Sequence, residues 1–429
     1  MSDGMVIKNA SELVTCSGFS ARRGAEMSEL GIIKDASVII SDGVIRTVGP
    51  TEAILSPSEE KRLRDEGTVF VEAEGKAVLP GFVDAHTHLV FGGYREKEYA
   101  WRLQGTDYME IMRRGGGIAS TVADTRGASF EQLYESGMRR LDSMLQFGVT
   151  TVEAKSGYGL DHDTEIRQLA VSRELDRKHP VDVVSTFLGP HAVPPEYAGD
   201  ADGFLAFLTD RVLPEVAEQG LAEFCDVFCE KDVFDLAQSR RWLEKASAMG
   251  LKPKLHADEI VPMGGTELAA SVGAVSADHL LQASDAGITA IAEKGVVAVL
   301  LPITAFGLRK PYARAREMID RGCAVALATD FNPGSCFSES IPLVMALACL
   351  SMQMTPEEAV CAMTLNGAAA LDRAHRVGSI DPGKQADLIL LEFPSYRFIP
   401  YHIGVNTVEK VVKRGAVVYD RSCSAISGG

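Results

Sequence analysis

Eight short apolar runs alternate with amphipathic segments between residue 77 and about residue 375, and this alternation constrains the fold more than any other feature. The runs are 77–91, 148–156, 181–191, 224–231, 252–259, 274–280, 296–305 and 325–332. Helical periodicity predicts helices over 130–147, 163–178, 204–219, 236–249, 264–272, 284–294, 313–321 and 338–351. Runs that are apolar throughout read as parallel strands buried on both faces, and eight strand–helix repeats read as a (β/α)8 TIM barrel. A doubly wound open sheet would give a similar string.

The two ends of the chain read differently. Segments 6–8, 36–40 and 44–48 are strand-like, with Ser41-Asp42-Gly43 as a hairpin turn. Segments 386–391 and 408–415 are strand-like as well. The predicted organisation is a small β-sandwich-like domain built from 1–79 and 376–429 around a barrel of 80–375.

Barrel enzymes place their chemistry at the C-terminal ends of the strands, and five of the nine histidines fall at such positions. His86 and His88 close the first run. Side chains alternate along a strand, so both project to one side. His191 closes the third run, His256 ends the fifth, His279 ends the sixth, and Asp330 ends the eighth. Any one of these histidines alone reads equally as a hydrogen-bonded core or surface residue; their joint placement carries the metal reading. The predicted ligands are His86, His88, His256 and Asp330. Three nitrogens and one oxygen suit Zn2+ or Fe2+, with Fe3+ also compatible. One such cation acidifies a bound water enough to supply hydroxide near neutral pH.

Glu259, three residues after His256, can reach a substrate nitrogen, and His279 is a second proton carrier. Asp330 can bind the cation and also accept a proton. A two-metal site would need a bridging anion such as a modified lysine in the fourth run. Lys231 is the candidate there and reads as a surface charge, so one metal per subunit is expected.

Composition narrows the partners. A net charge of −16 argues against nucleic acid and anionic membranes. It leaves room for an anionic small molecule received by a local arginine. The opening residues show no basic-then-apolar export pattern, and the longest apolar run, 296–306, contains Pro302 and is too short to span a bilayer. The eight cysteines include no Cys-x-x-Cys pair. They read as buried thiols of a cytoplasmic protein.

These residues resemble the amidohydrolase superfamily along nearly the whole chain. The stretches that carry the likeness begin with His86-Thr87-His88-Leu89-Val90-Phe91-Gly92-Gly93, Arg95 and Glu96. They continue through Gly115-Gly116-Gly117-Ile118, Lys155-Ser156-Gly157-Tyr158-Gly159-Leu160 and His191-Ala192-Val193-Pro194-Pro195-Glu196-Tyr197. The remainder are His256-Ala257-Asp258-Glu259, Ser276-Ala277-Asp278-His279-Leu280, Ala328-Thr329-Asp330-Phe331-Asn332-Pro333-Gly334 and Tyr401-His402-Ile403-Gly404-Val405-Asn406. His-x-His is common to the whole superfamily. Lys-Ser-Gly-Tyr-Gly-Leu and Thr-Asp-Phe-Asn-Pro-Gly are far narrower. They imply hydrolysis of 4-imidazolone-5-propanoate to N-formimidoyl-L-glutamate, a step of histidine degradation, by a homodimer.

That substrate carries an anionic propanoate tail. Arg95 can pair with the carboxylate, although an arginine there also reads as one half of a surface salt bridge. Tyr158 lies in a glycine-flanked loop where its hydroxyl can meet the ring or the tail. His191 is expected to bond the ring carbonyl and steady the oxyanion. The resemblance adds Glu259, Asn332, Gly334 and Ser335 as contacts to substrate or product. Gly115-Gly116-Gly117 lacks the Gly-Lys-Ser/Thr of a phosphate loop and reads as a lid or a close backbone approach. Pro190 and the segment Leu301-Pro302-Ile303-Thr304-Ala305-Phe306 depart from the pattern, which bears on the pocket wall rather than on the ligands. One alternative is a deaminase of guanine-like rings, which shares the metal site but needs no carboxylate clamp. The other is a scaffold without chemistry, which would not keep all four ligands.

Overall fold

The computed structural model describes residues 4–106, 110, 113–114 and 116–424. The centre of the chain forms a parallel barrel sheet. Its strands are β6 (Phe82–Asp84), β7 (Val149–Lys155), β8 (Asp182–Phe187), β9 (Phe224–Cys225), β10 (Phe228–Cys229), β11 (Lys252–Ala257), β12 (Ser276–His279), β13 (Val297–Leu300) and β14 (Ala324–Leu327). They follow one another around the sheet in sequence order, with β10 beside β11. A parallel bridge from Thr87 to Phe331 joins the first strand's extension to the last, so the sheet closes on itself. An open doubly wound sheet has no such closure; the eight repeats form a TIM-like barrel.

The helices between the strands start where side chains satisfy their first backbone N–H groups. Ser129 accepts from Gln132 N, Asp161 from Thr164 N, Asp235 from Gln238 N and Ser284 from Gly287 N. The helix predicted over 204–219 is interrupted by a wide turn at Leu208–Val212. Pro214 explains it, because its ring crowds the carbonyl four residues back.

The chain ends build a second sheet. It contains β1 (Gly4–Val14), β2 (Ile32–Ser41), β3 (Val44–Pro50), β4 (Val69–Glu72), β5 (Ala77–Pro80), β15 (Leu388–Leu391), β16 (Val408–Lys413) and β17 (Ala416–Asp420), in the order β17-β16-β15-β5-β1-β2-β3 with β4 on β1. It is one continuous, mostly antiparallel sheet. Alternation divides its faces: Leu388 and Leu390 join the sheet's own core, whereas Ile389 and Leu391 pack into the barrel's.

Two expectations need correction. The run 77–91 is two strands, not one, because 77–80 belongs to the small sheet. Gly81 alone separates the two sheets, and a Cβ there would fall 2.3 Å from Thr150. The His-x-His segment lies just beyond β6 rather than within it. It stays extended because His88 N donates to Phe331 O and Lys155 N donates to Thr87 O.

Candidate metal centre and active site

His86, His88, His256, His279 and Asp330 converge at the C-terminal mouth of the barrel, all at least nine-tenths buried. His86 Nε2 and His88 Nε2 lie 3.5 and 3.6 Å from Asp330 Oδ1. Ligand atoms of His86, His88 and Asp330 lie within 4.8 Å of one another, and so do those of His86, His256 and His279. His279 thus stands as close to the centre as a ligand would, although it reads from sequence only as a proton carrier. The backbone helps to bring these groups together. His279 and Asp330 have φ of 76° and 54°, the left-handed region that ordinary residues rarely enter. At His279 this breaks the strand's alternation, so the neighbours Asp278 and His279 both reach the centre.

The donor set fits a divalent cation. Among the described residues His86 Nε2, His88 Nδ1, both His256 nitrogens and both His279 nitrogens are buried without a hydrogen-bond partner, a costly arrangement unless a cation takes the one lone pair that each neutral ring offers. Burial holds His86, His88 and His279 well below the usual imidazole range, which keeps them neutral, as ligation requires. His256 is the exception. Burial lowers it, but the Asp226 carboxylate raises it more.

Behind the histidines lies a layer of buried charge. His86 Nδ1 is 2.6 Å from Asp278 Oδ2. His256 Nδ1 is 2.9 Å from Asp226 Oδ2, with the N–H bent off the line of a good hydrogen bond. Lys155 Nζ contacts Asp226, Glu153 and Asp278 at 2.7, 3.0 and 3.4 Å. Lys254 Nζ lies 2.7 Å from Glu153. The sequence reading gave none of these five residues a role. The signal was the same alternation that singled out His-x-His: Glu153 and Lys155, or Lys254 and His256, stand two apart in runs otherwise fit for burial. Lys231 is exposed.

Two general acid–base candidates flank the centre. Glu259 Oε2 stands 3.6 Å from His279 Nδ1. Burial, and secondarily the Asp330 carboxylate, push Glu259 up to about 8. Burial pushes Asp330 up to about 6, while Thr304 Oγ1 donates to its Oδ2 at 2.7 Å. The loop carrying Glu259 is pinned by Asp258, whose carboxylate accepts from the backbone of Met263, Gly264, Gly265 and Thr266.

His191 stands beside the histidine cluster. Its ring stacks on His88, with centroids 4.9 Å apart, and its Nδ1 lies 3.0 Å from the Gly157 carbonyl. A carbonyl only accepts, so Nδ1 carries the proton. Burial lowers the ring's pKa to about 3, so it is neutral, and Nε2 presents a lone pair. In this tautomer Nε2 can take a substrate N–H.

Tyr158 is buried beside His88 and His191, with centroid distances of 5.5 and 5.2 Å. Its loop is fixed by Glu165, whose carboxylate accepts from Gly157, Gly159 and Leu160 N. Arg95 is gripped by Glu98, which also accepts from Gly117 N. Gly117 N is thereby tied to the carboxylate that holds Arg95; Gly115 lies outside the described residues. Asn332 spends its amide on its own turn, accepting from Gly334 N and Ser335 N and donating to Asp330 O and Ser335 Oγ. Asn332 and Gly334 thus form one hydrogen-bonded turn at the pocket edge. Arg95 Nη1 faces that edge closely enough that a Cβ on Gly334 would fall 2.1 Å from it.

A closed barrel with histidines and an aspartate at its mouth, joined to a sheet from both chain ends, defines the amidohydrolase class of hydrolases, and the amidohydrolase family model matches residues 259–418. The fold is shared with solved structures such as Escherichia coli guanine deaminase, 14% identical with a TM-score of 0.70 over 97% of this chain and 99% of that one. Much nearer are the imidazolonepropionases of Parabacteroides distasonis, 58% identical over 96% of this chain and 98% of that one, and of Clostridium tetani, 56% identical over 97% and 99%. The chain belongs to the imidazolonepropionase family.

Proposed function

We propose that the protein opens the ring of 4-imidazolone-5-propanoate by hydrolysing its cyclic amide C–N bond, giving N-formimidoyl-L-glutamate in histidine degradation. The observation that carries this reading is an arginine-bearing pocket edge beside a histidine–aspartate cluster, in a chain 58% identical to an imidazolonepropionase over nearly its full length. The deaminase alternative has only a likeness of fold behind it.

His86, His88, His256 and Asp330 would hold one Zn2+ or Fe2+ ion. When bound, such an ion acidifies water and polarises a carbonyl. The remaining work falls to side chains. Arg95 and the Tyr158 hydroxyl take the propanoate carboxylate, with Ser335 at the pocket edge. His191 Nε2 accepts a ring N–H and so orients the ring. Asp330 draws the proton from the attacking water. Glu259 and His279 carry a proton to the ring nitrogen as the C–N bond breaks, a task suited to a carboxyl whose ordinary acidity burial has weakened.

Among the described residues no helix is long and apolar enough to cross a membrane, and the net charge is −16. The reading carries with it a cytoplasmic homodimer acting on a small molecule, as the family likeness implies. The test is a turnover assay with 4-imidazolone-5-propanoate and with guanine. Ring opening of the first without ammonia release from the second is expected; the reverse would overturn the reading.

A further inference from the structure

We propose that Lys155 is a positioning residue of the metal centre, fixing two histidine ligands at once through the carboxylates behind them. The inference rests on the metal reading above. Lys155 does not face the substrate pocket. Its ammonium lies below the histidines, fully buried, with carboxylates on three sides.

The placement is specific to the atom. Asp226 Oδ2 is the oxygen nearest His256 Nδ1, at 2.9 Å, and it also takes Lys155 Nζ at 2.7 Å. Asp278 Oδ2 is the oxygen nearest His86 Nδ1, at 2.6 Å, and Lys155 Nζ lies 3.4 Å from it. The opposite oxygens are held by other groups. Val227 N and His256 N donate to Asp226 Oδ1, and Ser276 Oγ donates to Asp278 Oδ1. Each carboxylate is thus locked at both ends, and Lys155 is the element the two locks share. Its backbone adds a third link: Lys155 N donates to Thr87 O, between His86 and His88.

An imidazole whose Nδ1–H is held by a carboxylate presents Nε2 to a metal in a fixed direction. Here one charge holds both carboxylates. Without it Asp226, Asp278 and Glu153 would face one another across a dry interior with only Lys254 to balance them. Like charges in such a medium repel strongly, and the carboxylates would turn away from the rings.

Lys254 supplies an internal control. It is as buried as Lys155 and pairs with the same Glu153, but its other partner is Ala85 O, and it touches neither Asp226 nor Asp278. If buried charge only supports the barrel, the two lysines are equivalent. If Lys155 positions ligands, they are not.

The experiment is a competition titration of metal-depleted protein with Zn2+ against a chromophoric chelator, for wild type, Lys155→Met and Lys254→Met. Thermal unfolding of the metal-free forms is measured in parallel, and the visible spectrum of the Co2+-loaded forms reports ligand geometry. Lys155→Met is expected to bind Zn2+ about 10- to 100-fold more weakly, the usual effect of removing a group that orients ligands, and to show a changed Co2+ spectrum. Lys254→Met is expected to lose thermal stability while keeping near wild-type affinity and spectrum. Equal affinities for wild type and Lys155→Met, or equal losses in the two variants, would overturn the inference. If Lys155→Met does not fold, Lys155→Gln takes its place. Failure of both while Lys254→Met folds would also count against it, since the lysine would then be supporting the barrel itself. Wild-type protein that binds no Zn2+ would sink the metal reading instead, which separates the two failures.

Discussion

Glu98 grips Arg95 from one side, its two oxygens 2.8 and 2.6 Å from Arg95 Nε and Nη2, so the remaining Nη1 is aimed at the Gly334 edge of the pocket. The guanidinium is held before any ligand arrives, which lowers the ordering cost of binding a carboxylate. Arg95→Ala should raise KM for 4-imidazolone-5-propanoate about 10- to 100-fold, as expected for a lost charge-assisted pair, with a smaller change in kcat. Steady-state kinetics on the substrate and on an analogue lacking the carboxylate checks this. The analogue should be indifferent to the substitution. An unchanged KM for the true substrate would remove Arg95 from the site.

Glu165 works at a distance from the chemistry. Its carboxylate ties three backbone N–H groups of the loop bearing Tyr158, and the Gly157 carbonyl of that loop sets the proton on His191. Glu165→Gln halves the acceptor capacity and forces an amide N–H against donors. A loss of about tenfold in kcat/KM is expected, on the scale of one or two hydrogen bonds. Metal content should change little, because Glu165 itself touches none of the proposed ligands. Metal analysis beside kinetics distinguishes this outcome from general collapse of the site.

The junction between the two sheets makes stability depend on acid. Lys413 of the small sheet donates to Asp182 of β8 and to Asp387 at 2.8 and 2.7 Å, and Arg414 pairs with Asp182 as well. Burial raises the Asp182 pKa, but Lys413 and Arg414 lower it further, so the net shift is downward. A carboxyl depressed in the folded state adds stability above its unfolded pKa of about 4, and that stability is lost as pH falls through the folded value. Asp182→Asn should therefore destabilise the protein by about 1–3 kcal/mol at pH 7, and the difference from wild type should shrink below about pH 4. Denaturant unfolding at several pH values measures both. A difference that stays constant down to pH 3 would contradict the ion-pair account.

The barrel was legible because its signal is repetitive: each of the eight apolar runs overlaps a barrel strand, runs 148–156, 252–259 and 274–280 match theirs within two residues at both ends, and helices 130–147 and 236–249 end within one residue of the observed ones. The placement of His86, His88, His256 and Asp330 at one mouth follows from the rule that strands end together. What escaped depends on three-dimensional neighbours. Nothing local in the chain says that Asp278 lies behind His86, because 192 residues separate them. The tautomer of His191 escaped for a similar reason, since it is set by a carbonyl in another loop. The hydrogen bonds inside the Asn332 turn were hidden too, because an Asn-Pro-Gly turn and a binding loop have the same composition.

The most direct test of the central claim is metal stoichiometry together with turnover of 4-imidazolone-5-propanoate, for wild type and His256→Ala. The account predicts about one Zn2+ or Fe2+ per chain and ring opening in the wild type, with both lost together in a folded variant. Full turnover by His256→Ala, or turnover by wild-type protein stripped of every divalent ion, would contradict it.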